Sequence, residues 1–416
     1  MPTNPEWSLD RGRVKAAWDL IPPTGGQTKG KGILIGHPDT GWTLHPELLR
    51  GDRYITDYPD SRNFFLPKGV TINFAPYLTG EDIMSGGGLI LDLNGHGTST
   101  ASVLNSEEGH PRANPPNTNY PDYTVPLNQF VSGVAPESYV LPLRVSSSVI
   151  LGGTESDIVW QKYLIRPDLY YTVNTFATLA QAIDYIRRYP PSLGPVNPYE
   201  VGVISISLGG VYAAQVLVDA LIRARRAGVI VCAAGGHSDP LVAKRIPVSF
   251  PASSIHTIGV GASNNQDEAI EAGHFGPSID ICAPGWDVSV ADTSGDTWKS
   301  GTRPDRNYYI NAEAKGTSHA VAFVAGACAL WQAYHSRAVL IDKYGKPLLL
   351  DAFKICLQSS AKRPLGGWDT DRAGAGIIDV EALLSFELPD LEDVEDQADD
   401  NDWTVEQRNV RLEDDD

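Results

Sequence analysis

A chain of 416 residues, 42% of them hydrophobic, can build an ample core, and its length fits one large domain with insertions as well as two domains. Its 33 basic residues stand against 51 acidic ones, a formal charge of −18, which argues for solubility and against a nucleic-acid partner. The longest apolar run, Ala320 to Trp331, is too short to span a bilayer, so no membrane partner is expected.

The first thirty residues are polar, with Trp7 and Trp18 scattered among them. Met1 to Glu6 has neither the basic start nor the apolar centre of a secretory signal. A cytoplasmic location is the expectation, or an extracellular one if the chain is a mature fragment. An apolar strand, Ile33-Leu-Ile-Gly-His-Pro-Asp39, ends on a carboxylate. Residues 53–88 mix aromatics with Pro and Gly and read as an insertion, either shaping a cleft rim or packed on itself. His96 lies in Leu93-Asn-Gly-His-Gly-Thr98, at the mouth of a helix of small residues. Residues 107–132, rich in Pro and Asn, form a second loop insertion.

From Tyr139 the pattern alternates. A strand starts at Tyr139, Thr178 to Arg188 reads as an amphipathic helix, and Val201 to Ser207 as a strand. Ala213 to Ala227 is helical and closes at Gly228, a C-cap signal. Val229 to Ala233, His256 to Val260 and Ile279 to Cys282 are further strands. Strands alternating with helices define an α/β fold: a doubly wound, mainly parallel sheet with helices on both faces. Such sheets bind ligands at the carboxyl ends of their strands, where Asp39 and Ala234-Gly235 fall.

Ser318, in Ala314-Lys-Gly-Thr-Ser318, sits where a polar loop turns into the apolar run, which reads as a buried helix. A serine there lies beside unpaired backbone N–H groups and the positive end of the helix dipole. Cys232, Cys282, Cys328 and Cys356 lack metal-ligand spacing and are expected as small buried thiols. Asp351 to Leu357 reads as a helix. From Pro389 to Asp416, thirteen acidic residues stand against two arginines, a net of −11. That composition predicts a disordered acidic tail, 389–416, behind a single domain, 1–388.

A carboxylate, an imidazole and a serine in the order Asp39, His96, Ser318 form one of the known chain orders of a serine-protease triad. These three blocks resemble the subtilisin-like serine proteases. Framework segments match in order over roughly residues 30–335: Gly133-Val-Ala-Pro136, Ser205-Ile-Ser-Leu-Gly209, Ala233-Ala-Gly235, Phe250-Pro-Ala252, Gly259-Val-Gly-Ala262 and Ala283-Pro-Gly285.

The resemblance implies a serine endopeptidase acting on peptide or protein substrates through an acyl-enzyme. A peptide-processing protease, a macrocyclase and a degenerate peptide-binding member are the alternatives. Ser207, Leu208 and Gly209 would pair with the substrate backbone, and Ala233, Ala234 and Gly235 would wall the main side-chain pocket above Ser249. With no carboxylate there, apolar or medium-sized substrate residues are expected. A third insertion falls near 154–176. No cofactor is required. Calcium is a candidate because Glu47 stands at a position that often ligates it. A regulatory inhibitor or activator protein is a candidate partner.

Two departures bear on the chemistry. The family's oxyanion-binding asparagine is replaced by Gly236, leaving His237 or a water as the candidate donor. His319 follows the nucleophile where methionine is usual, and is expected to pack or line the pocket. Ala322 replaces an early-helix proline, which presets the backbone and affects the chemistry little.

Overall fold

The computed structural model describes residues 4–42, 45–48, 62–64, 95–109, 130–146, 176–189, 199–238, 246–294, 307–364 and 368–401. Seven parallel strands form the main sheet: β1 (Ile33–Asp39), β2 (Arg62–Asn63), β3 (Tyr139–Arg144), β4 (Glu200–Ile206), β5 (Ile230–Ala234), β6 (Ile258–Ser263) and β7 (Ile281–Pro284). Their order is β2-β3-β1-β4-β5-β6-β7. Strand β1 lies between β3 and β4, which the chain joins by passing over it, so the sheet winds in both directions from β1. The crevice of such a sheet opens at the carboxyl ends of the strands around that point. A separate antiparallel hairpin, β8 (Trp286–Ser294) with β9 (Asn307–Lys315), follows the sheet.

The helices are α1 (Trp7–Arg11), α2 (Val14–Trp18), α3 (His96–Asn105), α4 (Phe176–Arg187), α5 (Gln215–Arg226), α6 (Thr317–Tyr334), α7 (Arg337–Tyr344), α8 (Leu349–Ser359), α9 (Thr370–Ala373), α10 (Val380–Ser385) and α11 (Leu391–Asp400). They cover both faces, as the alternation predicts. Ile33, Ile35, Val203, Ile230 and Cys232 point into a core built on α6, with α3, α8 and α10. Leu34, Val201, Ile204 and Val231 point the other way, under α4 and α5. Strands covered on both faces need apolar residues at nearly every position, which is why they read as continuous apolar runs.

Helix α6 is the spine of the first core. Every residue from Thr317 to Ala333 is buried. Burial all round, with no polar face, is the mark of an interior helix. Among the described residues, no helix is long and apolar enough to cross a membrane.

The polar N-terminal segment contributes more than its composition implies. Trp7 and Trp18 are buried in the first core, and Trp18 Nε1 donates to the Val134 carbonyl at 3.0 Å. All four cysteines are free and buried.

The tail expectation needs correction. Leu391–Asp400 is a helix with Val394 and Ala398 buried. Val394 and Ala398 lie one turn apart on one face and join the first core, and α11 packs against α7 and α8, while Leu391 stays exposed. Glu392 and Asp393 in its first turn face the positive end of the helix dipole. Averaged composition concealed this short stripe among the acidic residues. Residues 402–416, and nearly all of the insertions at 53–88, 107–132 and 154–176, lie outside the described residues.

Candidate active site

The carboxyl end of the sheet gathers the three residues singled out in sequence. Asp39 ends β1 and is fully buried. Its Oδ1 accepts from His96 Nδ1 at 2.8 Å and from the Thr40 amide at 2.7 Å. A carboxylate can only accept, so the ring hydrogen belongs on Nδ1. Burial pushes the Asp39 pKa up, but the charge and hydrogen bond of His96 outweigh it and hold the group down at about 2. The pair therefore contains a permanent anion behind the imidazole.

His96 opens α3 so close to β1 because Gly97 follows it. A Cβ at residue 97 would lie 2.1 Å from the Gly41 carbonyl oxygen and 3.3 Å from Asp39 Cβ. Any side chain there would drive helix and strand apart. The Gly97 amide also donates to Thr40 Oγ1 at 3.0 Å.

Ser318 is the second residue of α6 and is 8% exposed. Its Oγ donates to the Ser207 carbonyl at 3.4 Å, and Ser207 Oγ donates to the Ser318 carbonyl at 3.1 Å. This reciprocal tie fixes the start of α6 on the end of β4. Helices α3 and α6 pack together. Ser99, one turn beyond His96, meets His319 Nε2 at 2.9 Å, next to Ser318. His319 is thus a packed residue, as expected. Burial first, then the His96 and His237 charges, lower its pKa to about 3.

The expected substrate residues also assemble. The Gly210 amide donates to the Phe250 carbonyl at 2.9 Å, and the Phe250 amide to Gly210 at 2.8 Å. The Ser249 amide donates to the Gly235 carbonyl at 2.9 Å. A Cβ on Gly209 would stand 3.0 Å from Ser249 Cβ. Ser249 therefore lies between the Ser207–Gly209 segment and the Ala233–Gly235 segment. Leu208 and Ala233 turn their side chains into the second core, and Ala234 packs in the first, so none of the three presents its side chain to the space outside the sheet.

Gly236 has φ +95°, a left-handed conformation that favours glycine. Its N–H donates to Thr317 Oγ1 at 3.2 Å, so it is committed to the turn before Ser318. A Cβ at this position would lie 2.4 Å from His274 Nδ1 and 2.6 Å from Ser249 Oγ. An asparagine here would therefore have to displace the His274 ring and the Ser249 hydroxyl, at a backbone angle that favours glycine. His237 lies at the surface, its ring edge-on to Trp286 at 6.0 Å between centroids. It also closes on the start of α6: a Cβ on Gly316 would be 3.0 Å from His237 Cε1. Desolvation, then the His96 charge, lowers its pKa.

Glu47 is buried, and its Oε2 accepts from the Val131 amide at 3.0 Å. Among the described residues no three His, Cys, Asp or Glu side chains group as a metal site. One carboxylate, already bonded to a backbone amide, does not supply the six to eight oxygens of a calcium site.

Sequence reading missed His274, Ser238 and Thr317 at this end of the sheet. His274 sits in an irregular loop before β7 with no periodicity to mark it, and only the tertiary fold brings it to Gly236.

An imidazole backed by a buried carboxylate at the carboxyl end of a doubly wound sheet, with a serine at the start of the helix packed against the histidine's helix, is an arrangement compatible with serine-hydrolase chemistry. The model of the subtilase family matches residues 30–344. The chain belongs to the subtilase family, and by class it is a serine endopeptidase. It is 26% identical over 315 residues to the major intracellular serine protease of Bacillus subtilis (strain 168), covering 74% of this chain and 71% of that one. It is 27% identical to an extracellular protease of Xanthomonas campestris pv. campestris, covering 89% of this chain and 53% of that protein, so it spans about half of that relative's length. Among solved structures, MycP1 from Mycobacterium smegmatis superposes with a TM-score of 0.57 at 19% identity, covering 92% of this chain and 85% of that one. That last likeness concerns the fold alone.

Proposed function

We propose that this chain hydrolyses peptide bonds by acyl transfer, with Ser318 as nucleophile, His96 as general base and Asp39 as its orienting anion. The observation that carries the reading is the 2.8 Å contact from His96 Nδ1 to the buried Asp39 carboxylate. It leaves Nε2 unprotonated and able to take the Ser318 proton as the hydroxyl attacks a carbonyl. The imidazolium formed is stabilised by Asp39 and then protonates the leaving amine. Water repeats the sequence on the acyl-enzyme.

The oxyanion forms at the N-terminus of α6. The Ser318 backbone N–H and the helix dipole favour negative charge there. His237, closing on Gly316, is the side-chain donor in this reading, and Gly236 contributes the tight turn beneath it. The substrate backbone lies along Ser207–Gly209 as an added strand.

A fluorophosphonate probe, with peptide mapping of the adduct, tests the assignment. The expected result is labelling at Ser318, and loss of labelling and of peptide hydrolysis in folded Ser318→Ala. Labelling at another serine, or hydrolysis that survives the substitution, sinks it.

A further inference from the structure

We propose that His37 is a positioning residue of the triad: from behind Asp39 its Nε2 hydrogen, together with the Thr100 hydroxyl, engages the carboxylate oxygen that His96 does not use, and so sets how strongly Asp39 holds the imidazolium of His96. This rests on the reading of Asp39 and His96 as orienting anion and general base.

The placement follows from two periodicities. Residues two apart on a strand share a face, so His37 and Asp39 on β1 point the same way, toward α3. Residues four apart on a helix share a face, so Thr100 stands one turn beyond His96 on α3. His37, Asp39 and Thr100 are all fully buried. Asp39 Oδ1 takes the His96 and Thr40 hydrogens. Oδ2 has Thr100 Oγ1 at 3.5 Å and His37 Nε2 at 3.8 Å, and His37 Nε2 is 3.0 Å from Thr100 Oγ1.

The acceptors around Thr100 decide the direction of that last bond. Its hydroxyl has one hydrogen and lies 3.1 Å from the His96 carbonyl, 3.3 Å from the Gly97 carbonyl and 3.5 Å from Asp39 Oδ2. All three oxygens only accept. If the hydrogen went to His37 instead, lone pairs of both Thr100 and Nε2 would face a buried anion, a repulsion that low dielectric magnifies. With the hydrogen on Nε2 that repulsion disappears: His37 donates to Thr100 Oγ1, and the threonine hydrogen goes to one of the three oxygens. An imidazolium would carry the same Nε2 hydrogen, so the sign of the effect does not depend on the charge of the ring.

A donor on Oδ2 draws charge away from Oδ1 and weakens the hold on the His96 imidazolium. Deleting it strengthens that hold, and His96 then gives up its proton only at higher pH. The other titratable or charged groups facing the pair are His319 on α6, reached through Ser99, His237, which closes on Gly316, and Arg144, beside Asp39 on β3. Every variant below keeps all three, so a difference between variants comes from His37 or Thr100.

The test is the pH dependence of fluorophosphonate labelling at Ser318, followed as a second-order rate constant across the imidazole range on folded wild type, His37→Leu, Thr100→Val and His37→Gln. The base form of the free enzyme sets the acid limb of that profile. In His37→Leu and in Thr100→Val the limb should move to higher pH by about half to one unit, the order of one net hydrogen bond. His37→Gln keeps a donor at similar reach and should bring the limb back toward its wild-type position. An unmoved limb in His37→Leu, a move to lower pH, or a His37→Gln limb displaced as far as that of His37→Leu overturns the proposal. A fall in the plateau rate with the limb in place also overturns it, since that is packing alone. If His37→Leu does not fold, Thr100→Val carries the same prediction and decides it. If the wild type is not labelled at Ser318 at any pH, the triad reading itself has failed and this inference falls with it.

Discussion

At the scale of single residues, Gly236 is where sequence and geometry lead to opposite designs. The resemblance alone makes Gly236→Asn an attempt to restore a missing oxyanion donor, with a gain in turnover. The structure reverses the expectation. The asparagine Cβ would meet His274 Nδ1 at 2.4 Å and Ser249 Oγ at 2.6 Å, and the positive φ adds strain. Either the loop carrying His274 moves or the contact to Thr317, the residue before Ser318, breaks. Gly236→Asn should therefore lower kcat and the unfolding temperature together. Steady-state kinetics with a melting curve checks this; a higher kcat at unchanged stability would contradict it.

At the scale of elements, α11 shows how docking holds an acidic helix in place. Tyr344 Oη donates to the Pro389 carbonyl at 2.7 Å, which ties the segment before α11 to α7. Full burial of a valine side chain such as Val394 is worth about 1.5–3 kcal/mol. Truncation after Leu388 should lower the unfolding temperature by several degrees, and Val394→Asp should reproduce most of that loss. Differential scanning calorimetry on both decides it; unchanged melting in both would show that α11 contributes nothing.

The same element marks how far sequence reading reaches. Strands β4 to β7 and helices α4, α5, α6 and α8 were legible because long apolar runs or 3.6-residue periods repeat within each. Asp39, His96 and Ser318 were legible because small-residue blocks surround them at strand and helix ends. Val394 and Ala398 were not, since two apolar residues among acids fall below any composition threshold. The β8–β9 hairpin was not either, because Asp287, Asp292, Asn307 and Glu313 interrupt its alternation. His274 was invisible for a different reason: its partners Ser238 and Ser249 are 36 and 25 residues away in the chain.

At the scale of the whole molecule, buried imidazoles dominate the response to acid. His45, His256 and His319 are held to about 3 and His335 to about 4, burial being the first cause in each case. Their folded values lie below that of a free imidazole, so the unfolded chain takes up the protons. Stability is complete above about pH 6.5 and falls as the pH drops toward the folded values. Each group contributes up to about 1.4 kcal/mol per pH unit in that window. Asp39 acts lower, its contribution being lost only as pH falls from the ordinary carboxylate range through about 2. Urea midpoints should therefore drop markedly between pH 7.5 and pH 5; equal midpoints would show that the imidazoles are solvated.

One feature of the core bears on how a protease survives its own company. Ser318 belongs to α6, whose residues from Thr317 to Ala333 are all buried, and elements with most buried contacts open only in global unfolding. A molecule that has opened far enough to present its core as a substrate has lost the geometry that makes it a predator. With Ser318 as the proposed nucleophile, an opened copy should be cut by intact ones and be unable to attack them.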